Sequence, residues 1–412
     1  MDLESSYSKN VNKRLRGLYV MSSADVDDDL THEQQTLRGS VAKLLAREVA
    51  PVVSEFEKKG AFDWTLPARL REFGFLGGFL PQEQGGYAMS HMDYAILMEE
   101  AGYCWHSLRA TLNTMNMAIL LLAKLGTPAQ RERYLKPLLL GELRIWVGIT
   151  EPNHGSNVAG METTAVRQGN DWVISGTKQW ITNGAIGQLG ILMAKVVSTD
   201  PSQPTGVTAF LVDASQAVYE KKRLHTMILK ATTTSELYFD AMHIAADQVL
   251  GEVGQGLKNI LLALSFGRLS VAAGAVGAAQ CALDLSIQYA RTRQQFKVPI
   301  GSFQLVQKLI VDMQVRTQAA RQLTRYAART LDRGREARME CSVAKMYAAQ
   351  AAHEVADMAL QVHGGMGYSE DYPIERIFRD TRGATIPEGT TEIQTLIIGR
   401  ELLGISAFGG AT

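Results

Sequence analysis

Cysteine is scarce in this sequence. Cys104, Cys281 and Cys341 lie far apart and form no CxxC pair. An odd number excludes a complete disulfide framework, so a reducing, intracellular setting is expected, with all three thiols as small core residues. An excess of one charge is missing as well, because 42 basic residues balance 42 acidic ones. That balance argues against a nucleic-acid footprint. Long apolar runs are also lacking: "MAILLLAKLG" carries Lys124 and falls short of the roughly 18–20 residues that cross a bilayer, so no membrane span is expected.

Several chemical signatures are absent too. The eight histidines form neither HExxH nor a tight pair, so no metal site is expected. There is no GxSxG elbow, no GxGxxG after a strand-like run and no GxxxxGK. Hydrolase, metalloenzyme, Rossmann and P-loop readings lose support together.

What is present is an ordinary globular balance, 46% hydrophobic and 20% charged, over 412 residues, enough for two or three domains. Residues 1–30 carry basic residues without an apolar h-region, then the acidic "SSADVDDDL". They read as a flexible tail, neither secretory signal nor clear transit peptide, with Met21 an alternative start. From Thr31 the helical period begins: Thr31 and Gln34 match a capping box, and Leu37, Val41, Leu44, Leu45 and Val49 share one face. Further helices are expected at "TLPARLREFGFLGG", "SHMDYAILMEEAGYCW", "RATLNTMNMAILLLAKLG" and "PAQRERYLKPLLLGE", making a helical domain over 31–142. The texture then changes to short β-rich runs punctuated by Gly, Asn and Asp, a β domain over 143–250. Helical periodicity returns over 251–412, where "SVAAGAVGAAQCA" is rich in small residues that let helices approach closely; long helices are expected at about 302–333, 337–363 and 391–403. The class is mainly α with a middle β domain.

Four segments could carry chemistry. "GITEPNHGSN" (148–157) is a polar loop at a strand end, suited to a polar heterocycle or a thioester tail, and equally readable as a surface turn. "KQWITNG" (178–184) offers an aromatic plane flanked by Thr and Asn, although a lone Trp is more often core. "YARTRQQF" and "QVHGGMGY" supply Arg293, able to pair with phosphate, and a glycine pair that admits close backbone approach; taken singly they read as a solvated arginine and a helix cap. "GATIPEGTTEIQTLIIGREL" (383–402) holds Glu388 between Pro387, which restricts Ile386 to extended geometry, and Gly389. Thr390 or Thr391 can cap the following helix, leaving Glu388 for chemistry; otherwise Glu388 merely favours the helix dipole.

In this order, "ITEPNHGSN", "GTKQWITNG", "RTRQQF", "QVHGGMGY", "YPIERIFRD" and "PEGTTEIQ" resemble the acyl-CoA dehydrogenase family across nearly the whole chain from about residue 30. The "MET" after "GSNVAG" and the ending "GISAF" look most like the glutaryl-CoA dehydrogenase branch. The resemblance implies an N-terminal helical domain, a β-barrel-like middle domain and a C-terminal four-helix bundle. It implies FAD as cofactor, with Val147, Ile149, Thr150 and Ser156 lining the flavin and Trp180 and Thr182 beside the ring. Arg293, Phe296, Gln304, Gln361 and Gly365 match positions that touch the FAD of a neighbouring subunit in a homotetramer, and Thr390 and Glu392 match positions that hold the cofactor near the base. Glu388 matches the catalytic base, which removes the α-proton of an acyl thioester while flavin N5 accepts the β-hydride. Arg268 matches an arginine near the base, and Gly389 and Ser156 match substrate contacts.

The resemblance also implies an acyl-CoA substrate, an electron-transfer flavoprotein as acceptor, and a cytoplasmic location in a bacterium or a mitochondrial matrix or peroxisomal one in a eukaryote. Three positions depart from the family pattern. The residue before the base is Pro387, where an aromatic is common. Ser265 replaces an acidic residue near the CoA moiety, leaving open a carrier-protein thioester; an oxidase using oxygen is a further alternative. The glutaryl branch binds the distal substrate carboxylate with an arginine that falls, ungapped, on Leu108. Arg109, one residue later, is the substrate-binding candidate that remains; its offset of about 100° round the helix turns it from the matched direction, which counts against a dicarboxylate substrate.

Overall fold

The computed structural model describes residues 29–407. Most of the expected N-terminal tail lies outside the described residues. Asp29 and Leu30 already belong to the fold: Asp29 pairs with Arg325 and Arg329, and Leu30 is buried.

The first helical layer comprises α1 (His32–Glu48), α2 (Val53–Lys59), α3 (Leu66–Leu70), α4 (His91–Cys104) and α5 (His106–Leu125). The capping box at Thr31 and Gln34 is present in both directions, and Val41, Leu44, Leu45 and Val49 turn inward as their spacing predicts. Two expected helices are shorter than their sequences suggested. The helix at "TLPARLREFGFLGG" stops after a 3₁₀ turn at Arg71–Phe73, because Gly74 adopts a left-handed conformation (φ +82°) that helical geometry excludes. "PAQRERYLKPLLLGE" is broken by a π turn at Arg131–Leu135, ahead of Pro137.

A twisted eight-stranded sheet follows: β1 (Ile145–Gly148), β2 (Thr164–Gln168), β3 (Asp171–Ile181), β4 (Leu189–Val197), β5 (Gly206–Asp213), β6 (Glu220–Arg223), β7 (Ser235–Ile244) and β8 (Val249–Leu250). Their spatial order is β6-β7-β3-β2-β4-β5-β8, and β1 pairs in parallel with β4. Trp146, Trp172, Ile174, Phe210 and Phe239 form its core.

The C-terminal layer holds α6 (Gly256–Thr292), α7 (Gln304–Asp332), α8 (Arg338–His363), α9 (Ile374–Gly383) and α10 (Thr391–Leu403), with a small hairpin of β9 (Gln294–Gln295) and β10 (Val298–Pro299) after α6. Helix α6 is long and apolar enough by length and composition to cross a membrane, but 78% of its most apolar stretch is buried against the rest of the chain. The small residues explain how. A Cβ on Gly102 of α4 would sit 2.3 Å from the Gly274 carbonyl oxygen, and one on Gly277 would sit 1.9 Å from that of Glu99. Helices α4 and α6 therefore cross at backbone contact, which only glycine permits. The three cysteines are buried there and in α8.

Candidate functional site

Glu388 sits in the turn between α9 and α10 with φ +59°, a left-handed conformation costly for a residue with a side chain. Gly389 follows at φ +88°. The cap of α10 is Thr390, whose side chain accepts from the Ile393 N–H, and Glu392 takes the acidic first-turn position. The dipole explanation for Glu388 is thereby removed. The residue is partly exposed through its backbone, but its carboxylate points inward. Oε1 accepts a 2.9 Å hydrogen bond from Asn113 Nδ2, and the enclosed Oε2 has no protein partner. Burial raises its pKa; the Asn113 bond and the charges of Arg268, Arg109 and Lys345 pull it back without overcoming burial.

Each neighbour arrives from a different helix. Arg268 donates from Nε to the Glu388 carbonyl at 3.2 Å, and Gln394 donates to the carbonyls of Glu388 and Gly389, both at 2.9 Å. Lys345 Nζ donates to Gly389 O at 2.7 Å and Thr385 O at 3.2 Å. Gly267 clears the space for the carboxylate, since a Cβ there would lie 2.6 Å from Oε2. Arg109 is also near the carboxylate. It lies one helical turn before Asn113 on the same face of α5, is buried, and is near enough that Glu388 raises its pKa against the larger depression by burial, to about 10. The one-residue offset does not carry it away, because α5 presents Arg109 and Asn113 to the α6 stripe of Gly267, Ser270 and Gly274. Gly274 makes room for the arginine: its Cβ would meet Arg109 Cγ at 2.8 Å.

A second constellation forms at the β domain. Lys178 is fully buried and donates to Glu151 Oε1 at 2.7 Å and to the Ile149 carbonyl at 2.9 Å. The Gln179 N–H donates to the Thr150 carbonyl. Residues 149–151 are thus zipped to 178–179, uniting "GITEPNHGSN" with "KQWITNG". Burial would raise the Glu151 pKa, but Lys178 and the backbone N–H groups of Thr163 and Glu162 hold it below the usual range. The Lys178 pKa falls to about 8, burial outweighing its carboxylate. Beyond this pair the register of β3 on β7 shifts between Lys178 and Ile181, and Trp180 is left at φ +61° and 57% exposed. The core-tryptophan alternative fails here; within the β domain Trp146 and Trp172 are the core ones. Val147, Ile149, Thr150 and Thr182 are half-buried around this face, Ser156 is exposed, and both amide atoms of buried Asn183 lack protein partners.

Family models for the acyl-CoA dehydrogenase N-terminal, middle and C-terminal domains match residues 31–142, 147–242 and 254–403. The chain belongs to the acyl-CoA dehydrogenase family. It is similar to the CarC subunit of the caffeyl-CoA reductase-Etf complex of Acetobacterium woodii, with 36% identity over 89% of this chain and 98% of the relative. It is similar to the mitochondrial isovaleryl-CoA dehydrogenase of Oryza sativa, with 34% identity over 94% of each. The crystal structure of glutaryl-CoA dehydrogenase from Mycobacterium smegmatis superposes with a TM-score of 0.87 at 29% identity, covering 96% of this chain and 99% of that one. The three-domain acyl-CoA dehydrogenase fold is therefore shared, and the protein is an oxidoreductase of a family that binds FAD.

The other family-matched positions lie apart from both constellations. Arg293 caps α6 and is exposed; Phe296, at the tip of the β9–β10 hairpin, is 88% exposed at φ +51°; Gln304 opens α7; Gln361 and Gly365 are exposed at the end of α8. None forms a hydrogen bond to Glu388 or Trp180 among the described residues. Ser265 is half-buried and donates back to the Leu261 carbonyl. Glu151, His154 and Glu162 each bring a ligand atom within 4.8 Å, but Glu151 is already neutralised by Lys178.

Sequence reasoning missed Asn113, Gly267, Lys345, Gln394 and the pairing of Glu151 with Lys178. Lys345 left a trace: it falls on the inward face of α8 with Cys341, Ala348 and Ala352, where a lysine is out of place. Asn113 left one as well, four residues after Arg109 and three before Asn116, in a run of buried polar residues spaced one helical turn apart.

Proposed function

We propose that this protein oxidises the α,β bond of an acyl-CoA to a trans-2-enoyl-CoA, with Glu388 as the base. The observation that carries this is the enclosed, partnerless Oε2 of Glu388. Asn113 engages Oε1, so Oε2 holds the free lone pair that takes the α-proton, and the proton then resides on Oε2. Burial raises the carboxylate's affinity for that proton, and the three nearby cations oppose that rise. The Glu388 backbone N–H makes no hydrogen bond among the described residues, which suits it to the thioester carbonyl, where negative charge develops as the α-proton leaves. FAD, when bound, accepts the hydride lost from the β-carbon.

The residues fit that cofactor. Trp180 offers an exposed aromatic plane held rigidly by its bulge, and Thr150, Ser156, Thr182 and the unpartnered amide of Asn183 suit the hydrogen-bonding edge of a flavin. Arg293, Phe296, Gln304, Gln361 and Gly365 are assigned to the FAD of a neighbouring subunit in a homotetramer, a reading supported by their exposure in the single chain. Thr390 and Glu392, next to the base on α10, are assigned to the same cofactor. An electron-transfer flavoprotein is the acceptor, supported by the relative named for its Etf complex. The relatives reported above are named for CoA thioesters, so the carrier-protein and oxygen-using alternatives are not favoured.

A second reading concerns the acyl group. Tyr94 Oη, Arg109 Nε, Asn113 Oδ1 and Ser270 Oγ are buried without protein partners on the Glu388 side of α4, α5 and α6. Burial pushes the Tyr94 hydroxyl pKa up, and Ser270 lies near enough to oppose that rise without reaching hydrogen-bond geometry. Orphaned buried polar atoms are rare and point to a polar acyl end. Anaerobic flavin bleaching with butyryl-, isovaleryl- and glutaryl-CoA tests both readings. Bleaching in the wild type and its loss in Glu388→Gln with FAD retained are expected; bleaching retained in that variant refutes the base.

A further inference from the structure

Helix α8 carries a buried cation whose two hydrogen bonds to the Glu388 turn have no role in the reaction as described. Lys345 is fully enclosed, and it forms no ion pair among the described residues. Its two hydrogen bonds go to the carbonyls of Thr385 and Gly389, which bracket the segment carrying Glu388. A fully buried lysine without a carboxylate partner is costly, and an apolar residue on this inward face of α8 would avoid the cost. The charge therefore has a task.

We propose that Lys345 is a positioning residue for Glu388: its ammonium ties the two ends of the left-handed turn together and sets a positive charge beside the buried carboxylate. This rests on the reading of Glu388 as the base. The Thr391 N–H already donates to Thr385 O, and holding Thr385 O and Gly389 O with one ammonium adds a second tie across Ile386, Pro387 and Glu388 that restrains the φ +59° backbone of Glu388. Arg268 and Gln394 hold the same peptide from α6 and α10, but they reach only residues 388 and 389. Lys345 alone among these donors also reaches the start of the turn.

The groups that act on Glu388 are Asn113 and Arg109 from α5, Arg268 from α6 and Lys345 from α8. Those that act on Lys345 are Glu388, Arg268, Glu392 and Arg109. Burial lowers the Lys345 pKa to about 8, with the Glu388 charge opposing the fall, so the lysine is largely charged near neutrality. Removing its charge leaves burial of Glu388 less opposed, and the carboxylate then takes up a proton at higher pH.

The test is the pH profile of anaerobic flavin bleaching by butyryl-CoA, measured on FAD-loaded wild type, K345Q, K345M and K345R. Gln keeps a donor and loses the charge; Met loses both; Arg keeps both. The acid limb is expected to move up by about one pH unit in K345Q and K345M and to return toward wild type in K345R. The limiting rate should fall about tenfold further in K345M than in K345Q, from loss of the tether. Melting temperatures accompany each profile. An unmoved acid limb in K345Q overturns the proposal, whether or not K345M folds, and leaves Lys345 as a structural residue; so does a limb that moves as far in K345R as in K345Q. E388Q separates the two ideas: if it still bleaches, the base assignment fails; if it is inert while the Lys345 variants keep the wild-type profile, only the present proposal fails.

Discussion

Glu388 and Trp180 share an unusual backbone. Both are bulky residues at left-handed φ, +59° and +61°, yet one side chain points into the protein and the other out of it. The turn at Glu388 is held by Arg268, Lys345 and Gln394 from three helices, and its carboxylate meets Asn113 from a fourth. The bulge at Trp180 is held from below, by the Lys178–Glu151 pair and the Gln179–Thr150 bond, and its ring touches solvent. The face proposed for the acyl group is therefore enclosed by residues of one chain. The face proposed for the cofactor is open to solvent in that chain. Strain is affordable at each only where neighbours over-determine the backbone, and the two regions do so with different means.

Breaking each region should have distinct consequences. The largest effect is expected for Glu388→Gln, where flavin bleaching by acyl-CoA should fall by at least about a thousand-fold with FAD retained, because only the proton acceptor is lost. Next is Lys178→Met. It leaves Glu151 charged and unpaired in the interior, so thermal or urea unfolding should report a loss of about 3–5 kcal/mol, with weaker FAD retention, while the Glu388 turn stays intact. A normal melting temperature in that variant would break the contrast drawn here.

A smaller change sharpens the acyl side. Gly267→Ala puts a methyl against Oε2, so bleaching should slow by about ten- to a hundred-fold with little change in FAD affinity. Trp180→Ala tests the open face: stability should change by no more than about 0.5 kcal/mol, since the ring is 57% exposed, while FAD titration should show weaker binding. The smallest effect is a pH dependence of stability. The raised pKa of Glu388 means that its burial costs nothing when the carboxyl is protonated, near and below pH 4. The cost grows as pH rises through the folded value, because the charged form is then buried. Melting curves of wild type and Glu388→Gln should therefore agree at pH 4 and separate by pH 7, the variant being the more stable; curves that stay parallel would mean the carboxylate is solvated.

Much of this was legible beforehand. The helical, β, helical order followed from periodicity, and the helices at 304–332, 338–363 and 391–403 began and ended within about two residues of their expected limits. The isolation of Glu388 from the cap of α10 followed from Thr390 standing two residues later. The place of Arg109 beside Glu388 was not legible, for an identifiable reason. Counting along one helix fixes an angle only relative to that helix, whereas the direction of the pocket is set by how closely α5 and α6 approach, which glycines at 267 and 274 decide.

By itself, the amino-acid order determined the elements, the turn that isolates one carboxylate, and the family, because capping, periodicity and short motifs are local properties of the chain. Only the tertiary structure decided what surrounds that carboxylate. Asn113, Arg268, Lys345 and Gln394 come from four helices, and their meeting point depends on interhelical distances. The same holds for Lys178 and Glu151, 27 residues apart yet hydrogen-bonded. Burial, which governs the charge states of all these groups, is a property of the packed molecule and has no local signature.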